Sequence, residues 1–175
     1  MNCPRQIPAL AYVGLGSNLD VPEHQLDAAL RRLSRLPGTT LLRTSRFYRT
    51  KPWGRVDQPD FVNAVAELST TLAPLELLDA LIGIEQVQGR ERITHWGPRT
   101  LDLDLLLYDS LALQAPRLQL PHPHLHKRAF VLAPLAELVP ELRIGEHGTV
   151  MELRDAVGCD GVELLAEPPH KEPKP

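Results

Sequence analysis

Asp102 and Asp104 stand in the run Leu101-Asp102-Leu103-Asp104-Leu105-Leu106-Leu107. On a β-strand successive side chains point to opposite faces. Leu101, Leu103, Leu105 and Leu107 are therefore expected on one face and the two acids on the other, roughly 6.6 Å apart along the strand. A helix would not pair residues two apart. Carboxylates held this close repel one another unless a divalent cation sits beside them. Hard oxygen ligands suit Mg²⁺, which commonly binds one or two carboxylates together with substrate phosphates. The same pair also fits the solvated face of an edge strand, so its surroundings must decide.

Those surroundings are basic and aromatic. Arg90, Arg92, Trp96 and Arg99 crowd the loop that leads into the strand. Solvated surface charge is the plain reading of such arginines, but three of them feeding into paired aspartates are what a metal-bound polyphosphate requires. Phe61 and Asn63 lie two apart on another strand-like run. They could stack on a flat heterocycle and read its polar edge, since a carboxamide both donates and accepts, or form an ordinary core phenylalanine beside a structural asparagine. His122, His124 and His126 alternate, a spacing that could hold zinc. No fitting Cys, Asp or further His accompanies them nearby, and Pro121 and Pro123 argue against a regular strand. A histidine hydrogen-bonding a phosphate beside Arg128 is the better reading. Gly14-Leu15-Gly16-Ser17-Asn18 invites a phosphate-loop reading. It lacks the third glycine of a dinucleotide fingerprint and the Gly-Lys-Ser/Thr of a P-loop, and reads better as a tight turn. No Ser/His/Asp or Cys/His arrangement offers a covalent nucleophile.

The elements that must position these residues follow from periodicity and breakers. Residues 9–15 read as a buried strand ending at the glycine pair. A helix follows, with Asp20 as its cap, Glu23 completing a capping box, Pro22 in the first turn and Leu26, Ala29, Leu30 and Leu33 as its apolar stripe. Pro37-Gly38 stop it. Residues 40–48 form a second strand and 61–70 a third. The breaker-rich connection over 49–60 is long for a compact domain, and such connections are more often functional than idle. Pro74 opens a second helix with the stripe Leu77, Leu78, Leu81 and Ile84, ended by Gly89. With the Asp102/Asp104 strand the order is β-α-β-β-α-β. That is the α+β arrangement of a ferredoxin-like antiparallel sheet with helices packed on it. A C-terminal extension carries a short strand near 111–113, a His/Pro loop over 121–127, helices over 130–138 and 149–157, and a strand over 162–165. Residues 1–165 are expected to form one domain, and the Pro- and charge-rich 166–175 a disordered tail.

The 175-residue chain is 43% hydrophobic and 23% charged, the balance of a soluble globular protein. A net charge of −3 argues against a general nucleic-acid binder, and no apolar run is long enough to span a bilayer. Cys3 and Cys159 make neither a disulfide framework nor a thiolate metal site, which points to the cytoplasm. Basic clusters around Arg43 to Arg55, Arg90 to Arg99 and Lys127-Arg128 in an acidic chain suggest a small polyanionic ligand.

In order along the chain stand YVGLGSN (12–18), FYRT (47–50), DQPDFVN (57–63), EQVQGR (85–90), HWGPRTLDLDLL (95–106), LPH (120–122) and RAFVLAPL (128–135). This set resembles the 6-hydroxymethyl-7,8-dihydropterin pyrophosphokinases of the folate pathway, which transfer pyrophosphate from ATP to the hydroxymethyl group of the pterin and release AMP. The resemblance implies two Mg²⁺ ions held by Asp102 and Asp104. It implies pterin binding by Thr50, Trp53, Phe61, Asn63, Trp96 and Phe130, with Phe61 and Phe130 sandwiching the ring. Glu85, Arg90, Arg99, His122 and Arg128 would bind ATP as co-substrate, and Arg90, Arg92 and Arg99 would act on the phosphates in catalysis. A cytoplasmic monomer with small-molecule substrates, and no nucleic-acid or membrane partner, is expected. Lys51, Trp53, Ile82 and Pro123 depart from the family pattern at the rim and the nucleotide pocket, where they bear on affinity more than reaction type. Parts of the pattern also fit a non-catalytic ferredoxin-like anion-binding module, or a metallohydrolase built on His122, His124 and His126.

Overall fold

The computed structural model describes residues 7–52, 58–89 and 100–165. The chain runs β1 (Ala9–Ser17), α1 (Pro22–Leu33), β2 (Thr39–Thr44), β3 (Tyr48–Thr50), β4 (Phe61–Thr70), α2 (Pro74–Val87), β5 (Asp102–Tyr108), β6 (Leu113–Ala115), β7 (Leu118–Leu120), a 3-10 turn (Leu125–Lys127), α3 (Ala129–Leu138), α4 (Val150–Val157) and β8 (Val162–Leu164). The main sheet has the order β5-β1-β4-β3-β8, with β2 alongside β4. It is antiparallel throughout. This is the expected ferredoxin-like sheet with its second strand broken in two and an extra strand at one edge. The break falls at residues 45–47. There the Ser45 N–H donates to the Val65 carbonyl and the Val65 N–H donates to Ser45 Oγ, while Phe47 turns into the core.

Directly opposed residues of an antiparallel ladder project to the same face, so the register assigns every side chain. Ala11, Val13 and Leu15 of β1, Val62, Ala64, Ala66 and Leu68 of β4, and Leu103 and Leu105 of β5 share one face. They pack against Leu26, Ala29, Leu30 and Leu33 of α1 and Leu77 and Leu81 of α2. Each of these leucines buries side-chain area worth about 1.5–3 kcal/mol. Among the described residues, helices cover the other face over one half only. Tyr12, Val65 and Leu106 lie beneath Val131, Leu132, Leu135 and Ala136 of α3, with Val150 of α4 behind them. A polar chain ties this cover to the sheet. Tyr12 Oη donates to Glu67 at 2.9 Å, Arg43 donates to the same carboxylate, and Arg43 Nη1 reaches the Leu138 carbonyl at 3.1 Å. The Arg43 hydrogen bond holds the Glu67 carboxyl below the usual carboxylate range, while burial and then the Glu67 contact push Tyr12 up to about 12.

Several elements differ from expectation. Strand β1 continues through the glycine pair to Ser17, so Gly14 and Gly16 are strand residues and not a tight turn. In the connection from β1 to α1 the residue at positive φ is Asp20, at 57°, and α1 starts at Pro22 behind Val21 without a side-chain cap. Proline forces its predecessor into extended backbone, which makes Val21 the flanking residue and denies Asp20 the capping role. Between Leu105 and Leu107 the pairing with β1 slips, so that Val13 opposes Leu105 and Tyr12 opposes Leu107. This bulge moves Leu107 off the Leu101/Leu103/Leu105 face and into the cluster beneath α3. In place of a lone strand near 111–113, β6 and β7 form a hairpin, which an Arg117–Asp79 ion pair ties to α2.

Candidate active site

The open half of the second face is the floor of a cavity of about 420 Å³. Its walls are the ends of β3 and β4 with residues 50–52 and 58, the strand β5, and the segment from His122 to Val131. Three ladders set one row across the floor. Asp102 opposes Gly16, Gly16 opposes Asn63, and Asn63 opposes Tyr48. The next row toward α3 places Asp104 beside Gly14 and Gly14 beside Val65. Both carboxylates thus stand on one side of a glycine-lined floor and the Asn63 carboxamide on the other.

The amide side is pre-set. Asn63 Nδ2 donates to Thr50 Oγ1 at 2.8 Å, and both residues are buried. That bond orients the carboxamide, and Phe61, opposite Thr50 on the neighbouring strand, borders the cavity beside it. Asn18, just beyond β1, donates to Gln58 Oε1 at 3.2 Å and to the Pro59 carbonyl at 3.3 Å, which anchors the chain entering β4.

The carboxylate side is braced from outside. The edge of β5 away from β1 would expose unpaired backbone. Glu85 of α2, itself 3% exposed, accepts the Leu103 N–H at 2.7 Å, and the His122 N–H donates to the Leu106 carbonyl at 2.9 Å. Arg128 lies at the cavity wall with Nη1 3.9 Å from Asp104 Oδ2 and its guanidinium carbon 5.7 Å from the Phe130 ring centre. Burial, and then the positive charge of Arg128, lower His122 to about 4. Its ring is therefore neutral near pH 7. The His124 N–H donates to His122 Nδ1 at 3.3 Å, so the ring proton sits on Nε2, which is left as a neutral donor.

Of the residues singled out from sequence, Thr50, Phe61, Asn63, Asp102, Asp104, His122, Arg128 and Phe130 all border this one cavity. Glu85 does not; it lies behind β5 as a buried brace. Trp53, Arg90, Arg92, Trp96 and Arg99 lie outside the described residues. Sequence reasoning missed Gly14 and Gly16 as cavity residues, although their alternation with apolar Val13 and Leu15 was the available signal. The histidine trio separates: His122 and His124 border the cavity, whereas His126 stacks on His147 with ring centres 4.0 Å apart and planes 8° from parallel. Among the described residues no three His, Cys, Asp or Glu side chains are grouped to hold a metal by themselves. Two carboxylates facing a cavity with room for phosphates do fit Mg²⁺, which takes its remaining ligands from substrate and water.

Such a cavity suits group transfer between a polyphosphate on the acidic side and a flat, polar-edged acceptor on the amide side, and the class is an α+β transferase. The family of 7,8-dihydro-6-hydroxymethylpterin-pyrophosphokinase matches residues 12–140. A 2-amino-4-hydroxy-6-hydroxymethyldihydropteridine pyrophosphokinase of Pseudomonas aeruginosa is 53% identical over 154 residues, 88% of this chain and 95% of that one. One from Haemophilus influenzae is 51% identical over 143 residues, 82% and 89% of the two chains. The Plasmodium falciparum HPPK-DHPS structure with pteroate superposes with a TM-score of 0.70 at 14% identity, over 89% of this chain. The chain spans 43% of that longer one, and the likeness speaks for the fold. The chain belongs to the hydroxymethyldihydropterin pyrophosphokinase family, and its reaction is pyrophosphoryl transfer to hydroxymethyldihydropterin in folate biosynthesis.

Proposed function

We propose that the donor is ATP, that Asp102 and Asp104 bind two Mg²⁺ ions, and that the pterin lies on the Phe61/Asn63 side of the cavity. The observation that supports this reading is the row Asp102, Gly16, Asn63, in which a carboxylate and a carboxamide share one floor with no side chain between them. Mg²⁺ would neutralise charge on the triphosphate and hold it in place. Asn63, held by Thr50, reads the polar edge of the pterin, while Phe61 and Phe130 contact its faces. His122 donates from Nε2, and Arg128 turns from Asp104 toward a phosphate. The hydroxymethyl oxygen bonds to the β-phosphorus as the bond from that phosphorus to the AMP oxygen breaks, with loss of the hydroxyl proton. This reaction needs alignment and charge neutralisation more than a covalent nucleophile.

Arg90, Arg92 and Arg99 at the phosphates, with Trp53 and Trp96 at the pterin, are carried over from the family resemblance. So are ATP contact by Glu85, a monomeric state and a cytoplasmic setting. Among the described residues no helix is long and apolar enough to cross a membrane. The deciding assay incubates the protein with 6-hydroxymethyl-7,8-dihydropterin, ATP and Mg²⁺ and identifies the nucleotide product. AMP is expected. ADP would overturn pyrophosphoryl transfer from ATP, and ligand binding without any nucleotide product would favour the anion-binding module instead.

A further inference from the structure

We propose that Gly16 is a specificity-determining residue for the acceptor: the missing side chain at this position keeps the Asn63 carboxamide in its reading position and leaves the floor open beneath the pterin. The inference rests on the reading of Asn63 given above. Gly16 is the only residue between Asp102 and Asn63 in their row, so those two backbones are two strand spacings, roughly 9.6 Å, apart. An acceptor read by Asn63 whose hydroxyl must reach a phosphate held at Asp102 and Asp104 has to lie across Gly16.

The local geometry shows what a side chain would do there. A Cβ at Gly16 would stand 3.2 Å from Asn63 Oδ1, closer than ordinary van der Waals contact. Asn63 has little room to yield, being 6% exposed and tied to Thr50 Oγ1 at 2.8 Å. At the neighbouring floor position a Cβ on Gly14 would meet the Leu106 side chain at an ordinary 3.5 Å. The difference matters because Gly16 lies within the regular extended pairing of β1, a backbone that alanine adopts without strain. Conformational freedom is therefore not what the glycine supplies. A methyl group at position 16 acts chiefly by displacing the Asn63 carboxamide, which belongs to the acceptor.

The test is a double-mutant cycle read as separate KM values for pterin and ATP. Gly16→Ala is expected to raise the pterin KM about tenfold or more, the scale of one misplaced methyl in a fitted pocket. The ATP KM should stay within about twofold, and in an Asn63→Ala background the Gly16→Ala penalty on the pterin KM should largely vanish, as coupled neighbours require. An unchanged pterin KM in Gly16→Ala overturns the proposal. So does an equal rise in both KM values, or a penalty that persists undiminished without the Asn63 amide. If Gly16→Ala fails to fold, recovery of folding in the double variant supports the clash with Asn63, and failure of the double variant overturns it. If Asn63→Ala by itself leaves the pterin KM untouched, the assignment of the amide to the pterin has failed, which is a separate result.

Discussion

The two faces of the main sheet are built by the same strands and finished in different ways. Beneath α1 and α2 the strands contribute alanine, valine and leucine, and helical leucines fill the remaining space. On the opposite face the described residues treat only half of the strand length so, under α3. Along the other half the residues include two aspartates, two glycines, an asparagine and a phenylalanine, and the strands remain paired across it. Regular pairing costs this face nothing in precision, because the closed face carries the packing that holds the strands. A reactive surface can be sparse when its reverse side is full.

Several substitutions would break or sharpen this contrast. The largest effect is expected for Asp104→Ala, which should lower turnover by on the order of 10²–10³-fold, comparable to loss of one charge-stabilising group. Circular dichroism and the unfolding midpoint should stay near those of the parent. A large loss of stability there would show that the open face also holds the fold. Leu81→Ala on the closed face should do the reverse. About 2–5 kcal/mol of unfolding free energy is lost in denaturant titrations, with substrate KM values unchanged in the folded protein. Phe61→Ala should weaken pterin binding by roughly 1–3 kcal/mol, the scale of aromatic stacking on a base, read as a pterin KM raised some tenfold to a hundredfold with the ATP KM little changed.

Glu85 is where the two faces meet, since it descends from α2 yet holds the strand that carries the acids. Removing the acceptor in Glu85→Ala should cost about 1–3 kcal/mol of stability by stranding the Leu103 N–H. Glu85→Gln keeps an acceptor and should recover most of it. If both variants keep parental stability and lose only ATP affinity, Glu85 serves the nucleotide and not the strand. The smallest effect concerns pH. The folded pKa of His122, about 4, lies below the ordinary histidine value of 6.5, so across that window the unfolded chain binds the proton more readily. Unfolding free energy should fall as pH drops from about 6.5 toward 4 and be insensitive to His122 above it. A His122→Asn variant should have a shallower slope over that window, and an identical slope would refute the half-buried, neutral ring.

Much of the frame is legible in the residues themselves. The stripes Leu26/Ala29/Leu30/Leu33 and Leu77/Leu81/Ile84 lie where helical periodicity puts them, and Asp102 and Asp104 do share a strand face. What escapes the pattern is local and physical. Three consecutive leucines at 105–107 look the same on either side of a bulge, so the slip that sends Leu107 to the other face leaves no mark in residue type. Glycine signals chain freedom far more often than an empty floor, and only the pairing of Gly16 with Asp102 and Asn63 reveals the second meaning. The break at Ser45 depends on a hydroxyl meeting Val65, twenty residues away. Pattern alone places Glu85 next to Ile84 on the buried side of α2, but the strand backbone it satisfies is visible only in three dimensions.

Strand β3 supplies Thr50, the anchor of the Asn63 amide, yet it is only three residues long and lies between β4 and β8. Its outer neighbour, β8, is the last of the described strands to be synthesised. In a chain not yet extended to β8, residues 48–50 would have one sheet partner, β4. They gain the second when Val162–Leu164 emerges. The order of synthesis thus leaves the Thr50/Asn63 side of the cavity to be finished late, after β1, β4 and β5 can already have joined. A nascent chain would complete the Asp102/Asp104 side of the cavity before the Thr50/Asn63 side.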